Sequence, residues 1–164
     1  MTSLFSSSLM PCLWDLLLAL GLGFAIGLER ELVKKEVGLR TFSLVSLGSA
    51  LFCLLVRVGI NDYSYLTGVD PFRVLGQICV GIGFLGAGVI IYREKEGYLS
   101  GLTTAADIWV TAAIGAAVGL GYYLLAIFTT VLVLALLTLT PSLKEELRER
   151  RNKENLKNDK EVKG

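Results

Sequence analysis

Residues 101–140 read GLTTAADIWVTAAIGAAVGLGYYLLAIFTTVLVLALLTLT, a stretch in which Asp107 is the only charged side chain. A spanning helix needs about 20 mostly apolar residues to cross about 30 Å of hydrocarbon at 1.5 Å per residue, so this length fits two spans and not one. Gly119 and Gly121 flank Leu120 where the turn must fall, and Tyr122 and Tyr123 bring the amphipathic rings favoured at a membrane interface. The split predicts spans over 102–118 and 121–140.

Outward from this stretch, the same length criterion finds three earlier candidates, over 9–28, 41–60 and 72–92. The 164 residues are 53% hydrophobic, with 18 glycines and only 3 prolines, which is too apolar for an ordinary soluble domain. The fold class expected is therefore an all-α membrane protein, a bundle of about five transmembrane helices over 1–140, followed by a charged tail over 141–164.

Charge distribution tests that count. No Lys or Arg precedes Arg30, whereas the last 24 residues hold 8 of the 16 basic side chains. If five spans are right, short cytoplasmic segments should collect Lys and Arg. The segment 29–40 carries Arg30, Lys34, Lys35 and Arg40, the segment 93–100 carries Arg93 and Lys95, and the tail adds its 8. Only Arg57 and Arg73 fall on the other side, both at span ends. The expected topology has the N-terminus outside and the C-terminus in the cytoplasm. A cleaved leader would want a basic n-region, and MTSLFSSSLMPCLWD has none.

Several functional classes lose support from composition. Without histidine the chain has no histidine-based acid–base chemistry and lacks the usual ligand of zinc, copper and haem sites. Cys12, Cys53 and Cys79 show no CxxC spacing and lie in or beside apolar spans, as small packing residues do. Gly81, Gly83 and Gly86 spell GxGxxG, yet a dinucleotide loop needs strand, turn and helix with a later acid for the ribose, and 72–92 is apolar on both sides of the glycines. No enzymatic activity, no cofactor and no nucleic-acid partner is expected.

Glycine has another use inside a membrane. The hydrophobic effect does not draw helices together in lipid, so small residues promote association by letting backbones approach. Asp15, Ala19, Gly23 and Gly27 recur every four residues in the first span, as do Asp107, Thr111, Gly115 and Gly119 in the fourth. The second span offers Ser43, Ser46, Ser49, Ala50 and Cys53. The third shows two stripes: Gly76, Cys79, Gly83 and Gly86 on one, and Arg73, Gln77, Gly81 and Gly88 on the other. The expectation is that Gly76, Gly83 and Gly86 form one contact face and Gly81 and Gly88 another. The bulky fifth span should face lipid while the first four pack closely.

Ionisable groups inside spans are costly, about 2.5–3.5 kcal/mol at mid-membrane on the insertion scale, and usually face the bundle or a wet cavity. Asp107 stands about one and a half turns into the fourth span, with Thr103, Thr104 and Thr111 on the same helix as candidate donors. Glu29, Arg30 and Arg40 lie at similar depth, and with Thr41 they complete a candidate inner polar cluster. Either it is an interfacial ion pair that fixes helix register, or it is a polar inlet or partner site. Asp15, Arg57, Arg73 and Gln77 make a second candidate cluster at the outer face. Asp70 before Pro71 looks like an N-cap followed by proline at the first helical position.

Five separated strings together resemble the MgtC/SapB family of bacterial membrane proteins: GLERE (27–31), GLRTFSLVSLGSALF (38–52), DPFRV (70–74) with Gln77, GIGFLGAGVI (81–90) and GLTTAADIWVTAAIG (101–115). They cover about residues 12–125 in order. The resemblance implies an inner-membrane protein of magnesium homeostasis and adaptation to low magnesium, and in pathogens to survival inside phagocytes. For some members it implies action by binding and restraining other membrane proteins, including the proton-translocating ATP synthase. Many members carry a soluble ACT-like domain after the fifth helix. The family's motif positions correspond here to Glu29, Arg30, Gly38, Arg40, Thr41, Asp70, Arg73, Gln77, Gly81, Gly83, Gly86, Gly88, Gly101, Thr103, Thr104 and Trp109, whereas Asp107 rests on its own chemistry.

Two functions remain in competition at this level. One is a regulatory protein that binds other membrane proteins through its helix faces. The other is an oligomeric carrier or channel subunit for magnesium or protons, with Asp15, Glu29 and Asp107 as oxygen ligands around a hydrated cation. The expected partners are the lipid bilayer, other membrane proteins and a homo-oligomer.

Overall fold

The computed structural model describes residues 2–35, 37–62, 70, 72–93 and 101–140. Among these the regular structure is helical: α1 (Thr2–Leu32), α2 (Leu39–Asp62), α3 (Phe72–Arg93), α4 (Leu102–Gly119) and α5 (Tyr123–Thr140). Five helices are long and apolar enough to cross a membrane, α1 through its portion Met10–Leu32. The tail over 141–164, with its basic side chains, lies outside the described residues, as does the segment 94–100.

The two short connections share one device. After α1, Lys34 N–H donates to the Glu31 carbonyl at 3.0 Å and Lys35 N–H to the Arg30 carbonyl at 2.9 Å, with Lys34 at φ 55°. After α4, Gly121 N–H donates to Val118 at 2.9 Å and Tyr122 N–H to Ala117 at 2.8 Å, with Gly121 at φ 90°. This is the Schellman pattern, which satisfies the last carbonyls by turning one residue left-handed. The turn expected at Leu120 is there, with Gly121 as its left-handed residue. Glu31 adds a second function by accepting the Leu39 N–H at 3.1 Å, so one helix end caps the start of the next. At α3, Asp70 Oδ1 accepts the Phe72 N–H at 2.9 Å, as an N-cap does.

Close packing concentrates where small residues recur every four positions. A Cβ on Gly23 would sit 2.6 Å from the Phe42 carbonyl oxygen and 2.7 Å from Ser46 Cβ, and one on Gly27 would sit 2.7 Å from Leu39 Cα. These contacts run α1 antiparallel to α2. A Cβ on Gly115 would meet the Ser46 backbone, and one on Gly119 the Ala50 backbone, so α4 runs parallel to α2 with its backbone pressed on it. The Ser46 hydroxyl also donates to the Ala19 carbonyl of α1 at 2.7 Å. α4 is the centre of the bundle and touches α1, α2 and α3. Its Ala, Gly and Thr content makes it thin enough to fit there, and it buries Ile108, Thr111, Ala112, Ile114 and Val118.

The outer layer differs from the sequence expectation. α5 does lie outside and buries only a narrow stripe that includes Ala126, Thr130 and Leu137. α3, however, is more exposed still: of its described side chains only Gly86 is buried. α3 leans on α4 and barely touches α2. Four closely packed helices with one outsider are thus replaced by a tight α1–α2–α4 core with two outer helices.

Candidate functional site

Two polar clusters tie the bundle, one at each end. At the end holding the α1 C-terminus, Arg30 is 4% exposed and Asp107 6%. Arg30 Nη1 donates to Asp107 Oδ2 at 3.2 Å, while Nε and Nη2 donate to Glu29 at 2.6 and 3.1 Å. Arginine suits this place because its planar fork serves two carboxylates at once. Arg30 follows Gly27 by three residues, a little short of one turn, and so stands off the stripe that meets α2 and reaches α4. A carboxylate on α4 meets a guanidinium on α1, which fixes the register of the two helices.

The other candidates for this cluster do not join it. Arg40 and Thr41 are exposed at the start of α2, Thr103 is exposed on α4, and Thr104 is buried. The hydroxyl of Thr111 donates to the Asp107 backbone carbonyl at 2.6 Å rather than to its carboxylate. The charge of Asp107 is thus met from α1 and not from its own helix.

At the opposite end Asp15 is 4% exposed and collects two donors. Arg57 of α2 forms an ion pair with its Oδ2, and the Tyr123 hydroxyl of α5 donates to its Oδ1 at 2.7 Å. This cluster joins three helices. Arg73 and Gln77, grouped with Asp15 in sequence, are not part of it: both line a groove between α2 and α3. The sequence assigned Tyr123 only to the interface, and its acceptor lies 108 residues away, beyond any local pattern. Glu31 was likewise missed as a cap, although it ends the string GLERE that precedes the turn.

The structure sorts the nine packing glycines into two groups. Gly23, Gly27, Gly115 and Gly119 occupy places where a Cβ would collide with neighbouring backbone. On α3, a Cβ at Gly86 would make an ordinary 3.6 Å contact with Ala105, and at Gly76, Gly81, Gly83 or Gly88 it would meet nothing within 4 Å. The single contact face expected for Gly76, Gly83 and Gly86 therefore divides. Gly86 turns to α4, and Gly81 lines the groove toward α2 beside Arg73 and Gln77. Helical phase puts Gly76, Val80, Gly83 and Phe84 on a third side, where Val80 is 70% and Phe84 81% exposed.

Each of the three carboxylates considered as cation ligands is engaged by arginine, Asp15 by Arg57 and both Glu29 and Asp107 by Arg30. Among the described residues no group of three or more His, Cys, Asp or Glu side chains could hold a metal ion. The arrangement is one of ionic locks inside the bundle and an uncovered small-residue helix at its edge.

Five apolar helices closed by buried polar locks define a multi-pass α-helical membrane protein. Comparison with known families then places it: residues 16–146 match the model of the MgtC family, and the chain belongs to that family. Among curated relatives, YhiD of Escherichia coli strain K12 is 48% identical over 115 residues, which cover 69% of this chain and 53% of YhiD. SapB of Bacillus subtilis strain 168 is 44% identical over 118 residues, 66% of this chain and 49% of SapB. MgtC of Salmonella typhimurium strain 14028s is 42% identical over 125 residues, 76% of this chain and 50% of MgtC. The chain spans about half the length of these relatives. No solved structure gives a significant match.

Proposed function

We propose that this chain is a regulatory protein of the bacterial inner membrane, acting in magnesium homeostasis by docking other membrane proteins through the open side of α3. The observation that carries the reading is the pair Gly76 and Gly83, helical glycines whose absent side chains serve no contact among the described residues. Each costs about 1 kcal/mol of helix propensity against alanine, a cost that close approach of another helix would offset. The magnesium link is supported by the family and by YhiD, which is named as a candidate magnesium transporter. The Lys and Arg distribution supports an outside N-terminus and a cytoplasmic C-terminus, which reporter fusions at each loop would test.

The competing reading, a magnesium or proton carrier, needs unoccupied acids along a path, and the three considered as ligands, Asp15, Glu29 and Asp107, are paired with arginine. Two measurements separate the readings. A photo-crosslinking residue at Gly83 in native membranes should capture a membrane protein, and the purified chain in liposomes should show no magnesium or proton flux. Flux that Asp107→Asn abolishes, with no crosslinked partner, overturns the docking reading.

A further inference from the structure

A groove of about 790 Å³ separates α2 from α3, on a different side of α3 from Gly76 and Gly83. That volume lies within the ~300–1,000 Å³ typical of small-molecule sites. Two glycines make the room, Gly48 of α2 and Gly81 of α3, and a Cβ on either would meet nothing within 4 Å. Neither glycine is explained by packing among the described residues, and both open onto the groove.

Its lining is apolar apart from a few groups, and one of these is charged. Arg73 stands in the first turn of α3, beside the Asp70 cap, where the helix enters the membrane. Gln77 follows one turn deeper on the same face. Arg73 has no carboxylate partner among the described residues, in contrast to Arg30 and Arg57. From Arg73 the α3 wall continues through Ile78 to Leu85, twelve residue steps or about 18 Å at 1.5 Å per residue. That is a little over half of the ~30 Å hydrocarbon thickness. On the α2 side the wall runs from Phe52 to Thr41. A cation without an acidic partner at the head of an apolar trough about 18 Å long is complementary to a phospholipid, with phosphate on the guanidinium and an acyl chain along the trough.

We infer that the α2–α3 groove is a binding site for an anionic phospholipid, held by Arg73 and Gln77 at its head and by the space over Gly48 and Gly81 along its chain. The site takes a lipid whatever protein docks on the far side of α3.

The test is native mass spectrometry of the purified full chain, released from detergent after incubation with phosphatidylglycerol or with phosphatidylcholine. One phosphatidylglycerol per chain should be retained, with a preference of about tenfold, the value of one charge-assisted hydrogen bond. Arg73→Gln should remove the preference. Gly81→Phe, which fills the trough from the α3 wall, should remove binding of both lipids, while Leu124→Phe on exposed α5 should change nothing. All three variants must keep the wild-type circular dichroism and elution volume. Equal retention by wild type, Arg73→Gln and Gly81→Phe overturns the proposal, because the lipid would then be a bulk coating. A photo-crosslinker at Gly81 that captures protein instead of lipid in native membranes overturns it as well.

Discussion

Replacing Gly115 by alanine adds one methyl group, and the structure says where it goes. The new Cβ would lie 2.7 Å from the Ser46 carbonyl carbon and 2.8 Å from its Cα. Carbon atoms in good contact sit about 3.5–4.0 Å apart, so α2 and α4 must separate by roughly 1 Å. The obstacle is backbone in mid-helix, and no flexible side chain can swing aside. Overpacking of this kind costs about 1–3 kcal/mol, and the upper part of that range applies because a gap of 0.5–1 Å also forfeits a quarter to a half of each neighbouring contact. Alanine returns about 1 kcal/mol of helix propensity, leaving a net loss of about 2 kcal/mol. Gly83→Ala receives the same propensity gain and meets nothing within 4 Å, so it should be more stable by about 1 kcal/mol. Reversible unfolding in mixed micelles, followed by far-ultraviolet circular dichroism, should separate the two variants by about 3 kcal/mol, roughly a hundredfold in folding equilibrium. If both alanines stabilise alike, α2 and α4 do not approach through Gly115, and the core described above is wrong.

Arg30→Met should destabilise by about 3–5 kcal/mol in the same assay because it strands two carboxylates, whereas Arg30→Met combined with Asp107→Leu should recover the part due to Asp107 and leave the part due to Glu29; a double variant no better than the single would show that Arg30 and Asp107 do not meet. Tyr123→Phe removes a donor to buried Asp15 and should cost about 1–3 kcal/mol, while Tyr122→Phe, for which no such bond exists, should be close to neutral; thermal melts in detergent distinguish them. Lys34→Gly relieves a left-handed residue and should raise stability by about 0.5–1 kcal/mol, measurable as a shift in midpoint detergent fraction.

The five spans were legible because membrane thickness fixes the length of an apolar run, and the run over 101–140 is too long for one helix and right for two. The turn at Leu120 was legible because two glycines bracket it where a left-handed residue is needed. Four-residue spacing identified the inward stripes of α1 and α4, and similar depth suggested Arg30 or Arg40 for Asp107. The structure chose Arg30, since Arg40 lies on an exposed face of α2. Periodicity names the face of a helix and leaves its neighbour unnamed. Asp15 therefore looked equally suited to Arg57 and Arg73 until the vertical offset between α1, α2 and α5 was known. The same limit explains α3, which holds more glycines than any helix of the core although its place is at the edge.

That mismatch on α3 bears most directly on function. A thin helix in the middle of a bundle, such as α4, has neighbours that fill the space its missing side chains leave. α3 has the same thinness, and among the described residues only Gly86 of its glycines meets a neighbour across it. If the chain were complete as a single body in the membrane, the cheapest sequence for α3 would be bulky, as α5 is, because large side chains gain dispersion contact with lipid tails at no propensity cost. Glycine at Gly76, Gly81, Gly83 and Gly88 gives up that contact and weakens the helix. The two ionic locks make this tolerable, since they join α1 to α2, α4 and α5 and none of them involves α3. A rigid core that does not depend on α3 leaves this helix free to be shaped for something outside the chain. Substituting all four glycines by leucine should then leave the core fold intact while abolishing crosslinks at the α3 surface, and loss of the fold itself would refute the division.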